Sequence, residues 1–398
     1  MKSEFALFSE PSAPTASQSA IDVHAPYTVY KADMSYFSGK LEAYLRYKLI
    51  PHHAVDADDR VMNTEIYPAT GARKIPAVKT SDGQWLFDTT PTIAWFDERY
   101  GSCPVVPSDP ALAFVAHLLE DYADEWLWRP SMWWRWEYGA SRRAVGFRIG
   151  SLANRGDLFA RLVGWYFARR QRSEWLWNDG VTAANAAAVR DMYPEELRFL
   201  QPLLADQPYI LGSHPSVADF GYFGSMFRHF GNDPDPSEVM RRTAPAVYEW
   251  LARLWNTTVD RIGSQQAWIW PTAEYWQPVW RRIARDYLPY LHQNALAFRD
   301  RKNRFDFRSE TFTFGNTVTT DYRVWCREVL QQRYRLLAAD ARHRIDQLFS
   351  SAGGLGALEA DGVIASGMNE RFRLPRQPAI AERRRPPLKV ALLGHPRN

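Results

Sequence analysis

From Tyr27 onward the spacing of hydrophobic and polar positions changes period several times. YTVYKA alternates and is rich in β-branched and aromatic residues, which predicts a strand. The loop MSYFSG leads into KLEAYLRYKLI. There Leu41, Tyr44, Leu45 and Lys48 recur at helical spacing, and Pro51 lies beyond the end. HHAV is short enough for a second strand. DADDRVMNTEIY opens on acids, which suit the positive end of a helix dipole. After the loop TGARK, the segments IPAVKT, SDG and QWLFD read as strand, tight turn and strand. DTTPTIAWFDERYG predicts a helix capped by Asp88 or Thr89, with Pro91 in its first turn and Gly101 at its end.

The resulting order is β-α-β-α-β-β-α. Two βα units imply parallel strands with right-handed crossovers, and the closing hairpin adds an antiparallel edge, as in the thioredoxin fold. Past the linker VVPSDP the strand signals almost stop. ALAFVAHLLEDYADEWLWRPSMWWRWEYG predicts one long helix that Pro130 kinks or divides. One or two arginine-rich helices follow over 139–190, and YPEELRFLQPLLA is another. SVADFGYFGSMFRHF is the best-marked helix, because Ser216 and Asp219 form an S-x-x-D capping arrangement before an apolar run. PAVYEWLARLWNTTVDRI, YWQPVWRRIARDYLPYLHQNALAF and VWCREVLQQRYRLLAADARHRIDQLF predict three more helices. FDFRSETFTFGNTVTTDYR alternates as a hairpin would. The expected organisation is a mobile arm at 1–26, a thioredoxin-like domain at 27–104, an all-helical domain at 110–350 and a partly disordered Gly-, Pro- and Arg-rich tail at 351–398.

Composition narrows the function classes. The chain has 398 residues, 46% hydrophobic and 24% charged, which excludes a wholly disordered protein. No apolar run reaches spanning length, so integral membrane association is not expected. A net charge of +4 is too weak a field to argue for nucleic acid. Cys103 and Cys326 form no CxxC motif and no Cys/His cluster, so no metal is expected. Cys326 reads as a small buried apolar residue. The N-terminus does not read as a secretory signal, and a cytoplasmic location fits best.

Three features together carry a resemblance: Ile75-Pro76 before the third strand, Asp88-Thr89 opening a helix 12 residues later, and LLADQPYILGSHPSVADF in the helical part. Over residues 27–262 the chain resembles the glutathione transferases, and SYFSGKLEAYLRYK, DTTPTIAWFDERY and EDYADEWLWRPSMWWRW resemble a bacterial group of long members. The resemblance implies glutathione as co-substrate, an apolar electrophile as second substrate, a homodimer and a detoxifying transferase activity. It assigns the main chain of Ile75, before a cis Pro76, to the cysteinyl part of the tripeptide. Asp88 and Thr89 fall where the γ-glutamyl end is held, at a helix N-terminus. Lys74 falls where the glycine end is reached.

Aligning SYFSGK on the family's S-P-x-x-R-K pattern places Ser35 as the hydroxyl that stabilises the thiolate. Tyr36 replaces the usual proline and Gly39 the arginine, so Tyr36 or Ser38 stands as an alternative donor. Trp126, Trp133 and Trp134 lie on the helix that walls the second-substrate site in the family; at that spacing they read equally as core. Two other functions stay open: a non-catalytic, partner-binding protein of the same fold, and an adaptor whose basic 142–172 region lies on an anionic membrane.

Overall fold

The structure is a computed structural model that describes residue 22 and residues 24–154, 156–262 and 267–378. The predicted arm therefore lies mostly outside the described residues, as does the end of the tail, 379–398.

The first domain runs β1 (Tyr27–Lys31), α1 (Tyr36–Tyr47) and β2 (His52–Asp56). A helical stretch follows, built from α2 (Asp59–Val61), a π-turn (Met62–Ile66) and α3 (Tyr67–Thr70). It closes with β3 (Ala77–Lys79), β4 (Trp85–Phe87) and α4 (Thr89–Arg99). The sheet order is β2-β1-β3-β4. β1 and β2 are parallel, and β3 is antiparallel to both β1 and β4. This is the predicted thioredoxin-like arrangement, although only the first βα unit yields a parallel pair, since β3 runs against β1.

The helical domain follows with α5 (Pro110–Glu125), α6 (Trp128–Glu137), α7 (Gly139–Asn154), α8 (Ala160–Trp175), α9 (Ala186–Asp206), α10 (Val217–Ser225), α11 (Pro234–Thr243) and α12 (Pro245–Asn256). The chain then continues through α13 (Gln277–Arg282), α14 (Leu288–Arg299), the hairpin β5 (Arg304–Arg308) and β6 (Thr313–Val318), α15 (Asp321–Arg335), α16 (Ala339–Ser350) and α17 (Gly356–Glu359). One apolar core joins all three parts, from Tyr27 in the sheet through Leu118 on α5 to Phe349 on α16.

Three expectations change. The long helix across 111–139 is two helices, interrupted at Trp126–Leu127. Pro130 has no N–H to offer the Trp126 carbonyl, so the chain breaks one turn earlier and Pro130 enters the first turn of α6. The last long helix is likewise two, α15 and α16. Residues 351–378, expected to be partly disordered, are folded: Arg376 and Trp85 exchange N–H···O bonds of 2.9 and 2.8 Å, adding the tail to the free edge of β4. The capping box of Ser216 and Asp219 is present, and Asp219 also accepts from Ile210 N–H (2.9 Å) and Trp250 Nε1–H (3.2 Å).

The two domains are joined by buried charge. The Lys40 ammonium on α1 is fully buried and meets Glu120 at 2.7 Å and Asp124 at 2.5 Å on α5, and it also donates to Thr90 Oγ1 at 3.1 Å. Burial works against both carboxylates. Lys40 and His117 still hold Glu120 low, whereas Asp124, facing Glu120 and Glu125 as well as Lys40, is pushed well above the usual carboxylate range. Removing the cation would leave two buried acids unpaired. Lys40→Met should cost about 3–5 kcal/mol in urea unfolding, and replacing Glu120 and Asp124 by apolar residues as well should recover most of that loss.

On the same helix, burial pushes Asp121 up to about 7 although Tyr287 donates to its carboxylate. Between its ordinary value near 3.8 and about 7 the folded state binds the extra proton, so this group's contribution to stability declines as pH rises through that window. Asp121→Asn should remove the decline. Its melting temperature relative to the unsubstituted protein should rise between pH 4 and pH 7 and level off above, as read by calorimetry.

Candidate functional site

The sheet register decides where the site lies. Tyr30 pairs with Ala77, and Ala77 pairs with Phe87. The end of β1, the start of β3 and the end of β4 therefore share one edge of the sheet. Ser35, Ile75 and Asp88 each sit within a few residues of that edge, so the topology brings together three residues that are far apart in sequence.

Ser35 is the N-cap of α1, with extended backbone (φ −85°, ψ 129°), and is half-buried. Its Oγ accepts from Ser38 N–H at 3.4 Å, a long bond that leaves the hydroxyl hydrogen free to donate elsewhere. The turn before it is held from the helical domain. Arg135 on α6 is buried, donates to Met34 O at 2.8 Å and to Arg228 O at 2.8 Å, and grips Asp233 at 2.7 and 3.0 Å. The two alternative donors lie buried. Tyr36 is buried and donates its hydroxyl to Ala123 O at 2.5 Å; burial and Asp124 raise its phenol well above the usual range. Ser38 is fully buried, and its Oγ accepts from Ala32 N–H at 3.3 Å.

Gly39 stands where the family pattern has an arginine, and the structure gives a reason. A Cβ there would lie 2.3 Å from Cγ of Arg228. Glycine makes room for that side chain, whose guanidinium reaches Glu42 at 2.7 Å and Asp33 at 3.8 Å.

The Ile75–Pro76 bond is cis, and Ile75 stands just outside the β3 ladder. Lys74 is exposed, with Nζ 5.9 Å from the Tyr322 ring centre. Asp88 has φ +67°, a conformation that few non-glycine residues adopt and that aspartate tolerates better than most. Its side chain does not cap α4. Pro91 has no N–H, so the first turn of α4 presents the N–H groups of Thr89 and Thr90 without a cap from Asp88. The Asp88 carboxylate instead accepts from the Tyr322 hydroxyl at 3.2 Å. Burial raises the Asp88 pKa, opposed first by Lys40 and then by Lys74.

Tyr322 lies on α15, in a part of the chain for which sequence reasoning had no role. A strap behind it fixes α15. Glu328 accepts from Ser366 N–H at 2.9 Å, Ser366 Oγ at 2.7 Å and Asn369 Nδ2 at 2.7 Å, and Trp325 packs on Phe372 at 4.4 Å. Cys326, one turn along, is buried as expected; burial and Asp121 push its thiol well up, which makes it a poor nucleophile.

The tryptophans sort differently from the sequence reading. Trp126 is fully buried, edge-on to Tyr287, Tyr290 and the phenylalanines of β5–β6, so it is core between α5 and the C-terminal hairpin. Trp134 is also buried, stacking on Tyr138 and donating to Arg190 O at 3.0 Å. Trp133 is half-buried against that pair. The aromatic pair next to Ser35 is another one: Phe37 stacks on Trp128 with ring centres 5.9 Å apart, and both are half-buried. Trp128 falls off the face that the helical period marks out, because the break at 126–127 resets that period.

Residues 34–99 match the glutathione S-transferase N-terminal domain, and residues 161–257 match the glutathione S-transferase C-terminal domain. No curated protein matches the chain. Among solved structures, a glutathione S-transferase from Methylobacterium radiotolerans, in complex with glutathione sulfonate, is 16% identical with a TM-score of 0.40, over 61% of this chain and 96% of that one. One from Rhodospirillum rubrum is 15% identical with a TM-score of 0.38, over 63% and 98%. Gtt2 from Saccharomyces cerevisiae is 13% identical with a TM-score of 0.38, over 57% and 96%. Residues 100–160, which hold α5, α6 and α7, and everything after residue 257 lie outside both domain matches. With the two domains present in order on one chain, the protein belongs to the glutathione S-transferase family.

Proposed function

We propose that the protein binds glutathione at the shared edge of the sheet and transfers its sulfur to an apolar electrophile. The observation that carries this reading is the convergence of Ser35, Ile75 and Asp88 set by the Tyr30–Ala77–Phe87 register. The γ-glutamyl end of the tripeptide is a zwitterion. The free N–H groups of Thr89 and Thr90 suit its carboxylate, and the Asp88 carboxylate suits its ammonium. The main chain of Ile75 would take the cysteinyl unit, and Lys74 the glycine carboxylate. Pro76 would aim that main chain.

The thiol needs activation, since a free thiol is mostly protonated near pH 7. A hydroxyl donating to the thiolate favours the charged form. Ser35 is the best donor, because the Tyr36 hydroxyl is already donated to Ala123 O and Ser38 is fully buried. Proximity and thiolate stabilisation would supply the catalysis. Phe37 and Trp128 are better placed than Trp126 or Trp134 to wall the electrophile. A homodimer and a cytoplasmic location go with this reading.

A second reading has its own observation. Tyr322 already occupies one oxygen of Asp88. If that contact persists, the chain's own C-terminal part stands where the ligand's ammonium would, and the fold serves to bind a partner without turnover.

The ultraviolet difference band of bound thiolate separates the two. Titrated with glutathione present, the protein should show a thiol ionising well below the free value, and Ser35→Ala should abolish that shift. Absence of a bound thiolate at every pH would favour the non-catalytic reading.

A further inference from the structure

We propose that the distal end of the α7–α8 hairpin is a docking surface for an anionic lipid bilayer. This surface is independent of the glutathione site and stands whether or not that site turns over.

The hairpin is held together by backbone. A Cβ on Gly164 would lie 1.9 Å from Gly146 O, and one on Gly150 would lie 1.9 Å from Ala160 O. Helices this close leave little room for large side chains between them at these crossings. Many large apolar side chains point outward instead. Phe147 is 37% exposed, Leu158 76%, Phe159 67%, Leu162 65% and Trp165 63%; these are five of the eleven large apolar residues exposed among the described residues. Phe159 is also held at φ +62°, which costs about 1 kcal/mol or more for a bulky residue, with its ring still in water.

Charge identifies the occupant. Residues 139–175 carry eight arginines against Asp157 and Glu174, a balance of +6, whereas the whole chain carries +4. The rest of the chain therefore sums to −2, although residues 371–398, with seven arginines and Lys389 against Glu382, form a second basic stretch. Arg172 is paired with Glu137 and Arg170 with Glu174; Arg143, Arg161 and Arg169 have no ion pair among the described residues. Arg142, Arg169 and Arg172 line, with Trp165 and Ala168, a cleft of about 290 Å³ toward the base of the hairpin, behind the apolar end.

An apolar tip with arginines behind it and a tryptophan between them matches the layers of a membrane surface: acyl chains, interface and anionic headgroups. A second copy of the chain is disfavoured, since two hairpins of +6 would repel. No helix among the described residues is long and apolar enough to cross a membrane, so the contact is with the surface.

The test is co-sedimentation of the full chain with vesicles. Vesicles of two parts phosphatidylcholine to one part phosphatidylserine should pellet the protein; phosphatidylcholine alone should not. The double variant L162S/W165S keeps the charge and should lower the partition coefficient about tenfold or more; R161Q/R169Q should lower it similarly, and added salt should weaken binding. All four residues carry exposed side chains or line the surface cleft, so the variants should unfold at the temperature of the parent. The proposal is overturned if anionic vesicles fail to pellet the protein. It is equally overturned if the variants bind unchanged, or if L162S/W165S instead dissociates a dimer or a protein complex.

Discussion

The ammonium of Lys40, enclosed by Glu120 and Asp124, is the constraint on which the arrangement depends. It fixes α1 against α5, and α1 carries Ser35 at its start. Burying one cation between two acids is costly unless the geometry is held, and here the packing around it is close. Tyr36 lies over Gly224, where a Cβ would come within 2.8 Å of its ring, and its hydroxyl ends on the backbone of α5. Arg228 and Arg135 reach back from the helical domain to brace the same turn. Ser35 is thus positioned by the hydrogen bonds of its own turn together with contacts from the helical domain.

The C-terminal part builds on that frame. Residues after 257 form a second layer whose helix α15 brings Tyr322 to Asp88, while the tail adds to the free edge of β4. Arg323 beside it grips Asp179 at 2.7 and 3.1 Å and Glu125 at 3.1 Å, tying this layer to the helical domain through buried charge. The chain's extra length therefore reaches the candidate site directly. The α7–α8 hairpin is the contrasting feature, packed mainly on itself and turned outward.

Much of this was legible in the sequence. Strand alternation, the SDG turn and the S-x-x-D box have local causes, and each appears where it was expected. Ser35, Ile75 and Asp88 could be named because short motifs mark them. Trp126 could not be sorted from Trp128 by period, since a break set by Pro130 changes the phase between them. Gly39 looked like a loss until Arg228, 189 positions on, was seen to fill its space. Tyr322 carried no local signal at all; only the tertiary path of α15 brings it to Asp88.

The central claim is that Asp88 and the first turn of α4 hold a glutathione zwitterion at an edge that Tyr322 shares. Calorimetric titration of the full chain with glutathione tests it most directly, with Asp88→Asn and Tyr322→Phe alongside. The account predicts one site per chain, affinity about tenfold or more weaker in Asp88→Asn, and tighter binding in Tyr322→Phe as an oxygen of Asp88 is released. Equal affinity in all three proteins, or no heat of binding even in Tyr322→Phe, would contradict it.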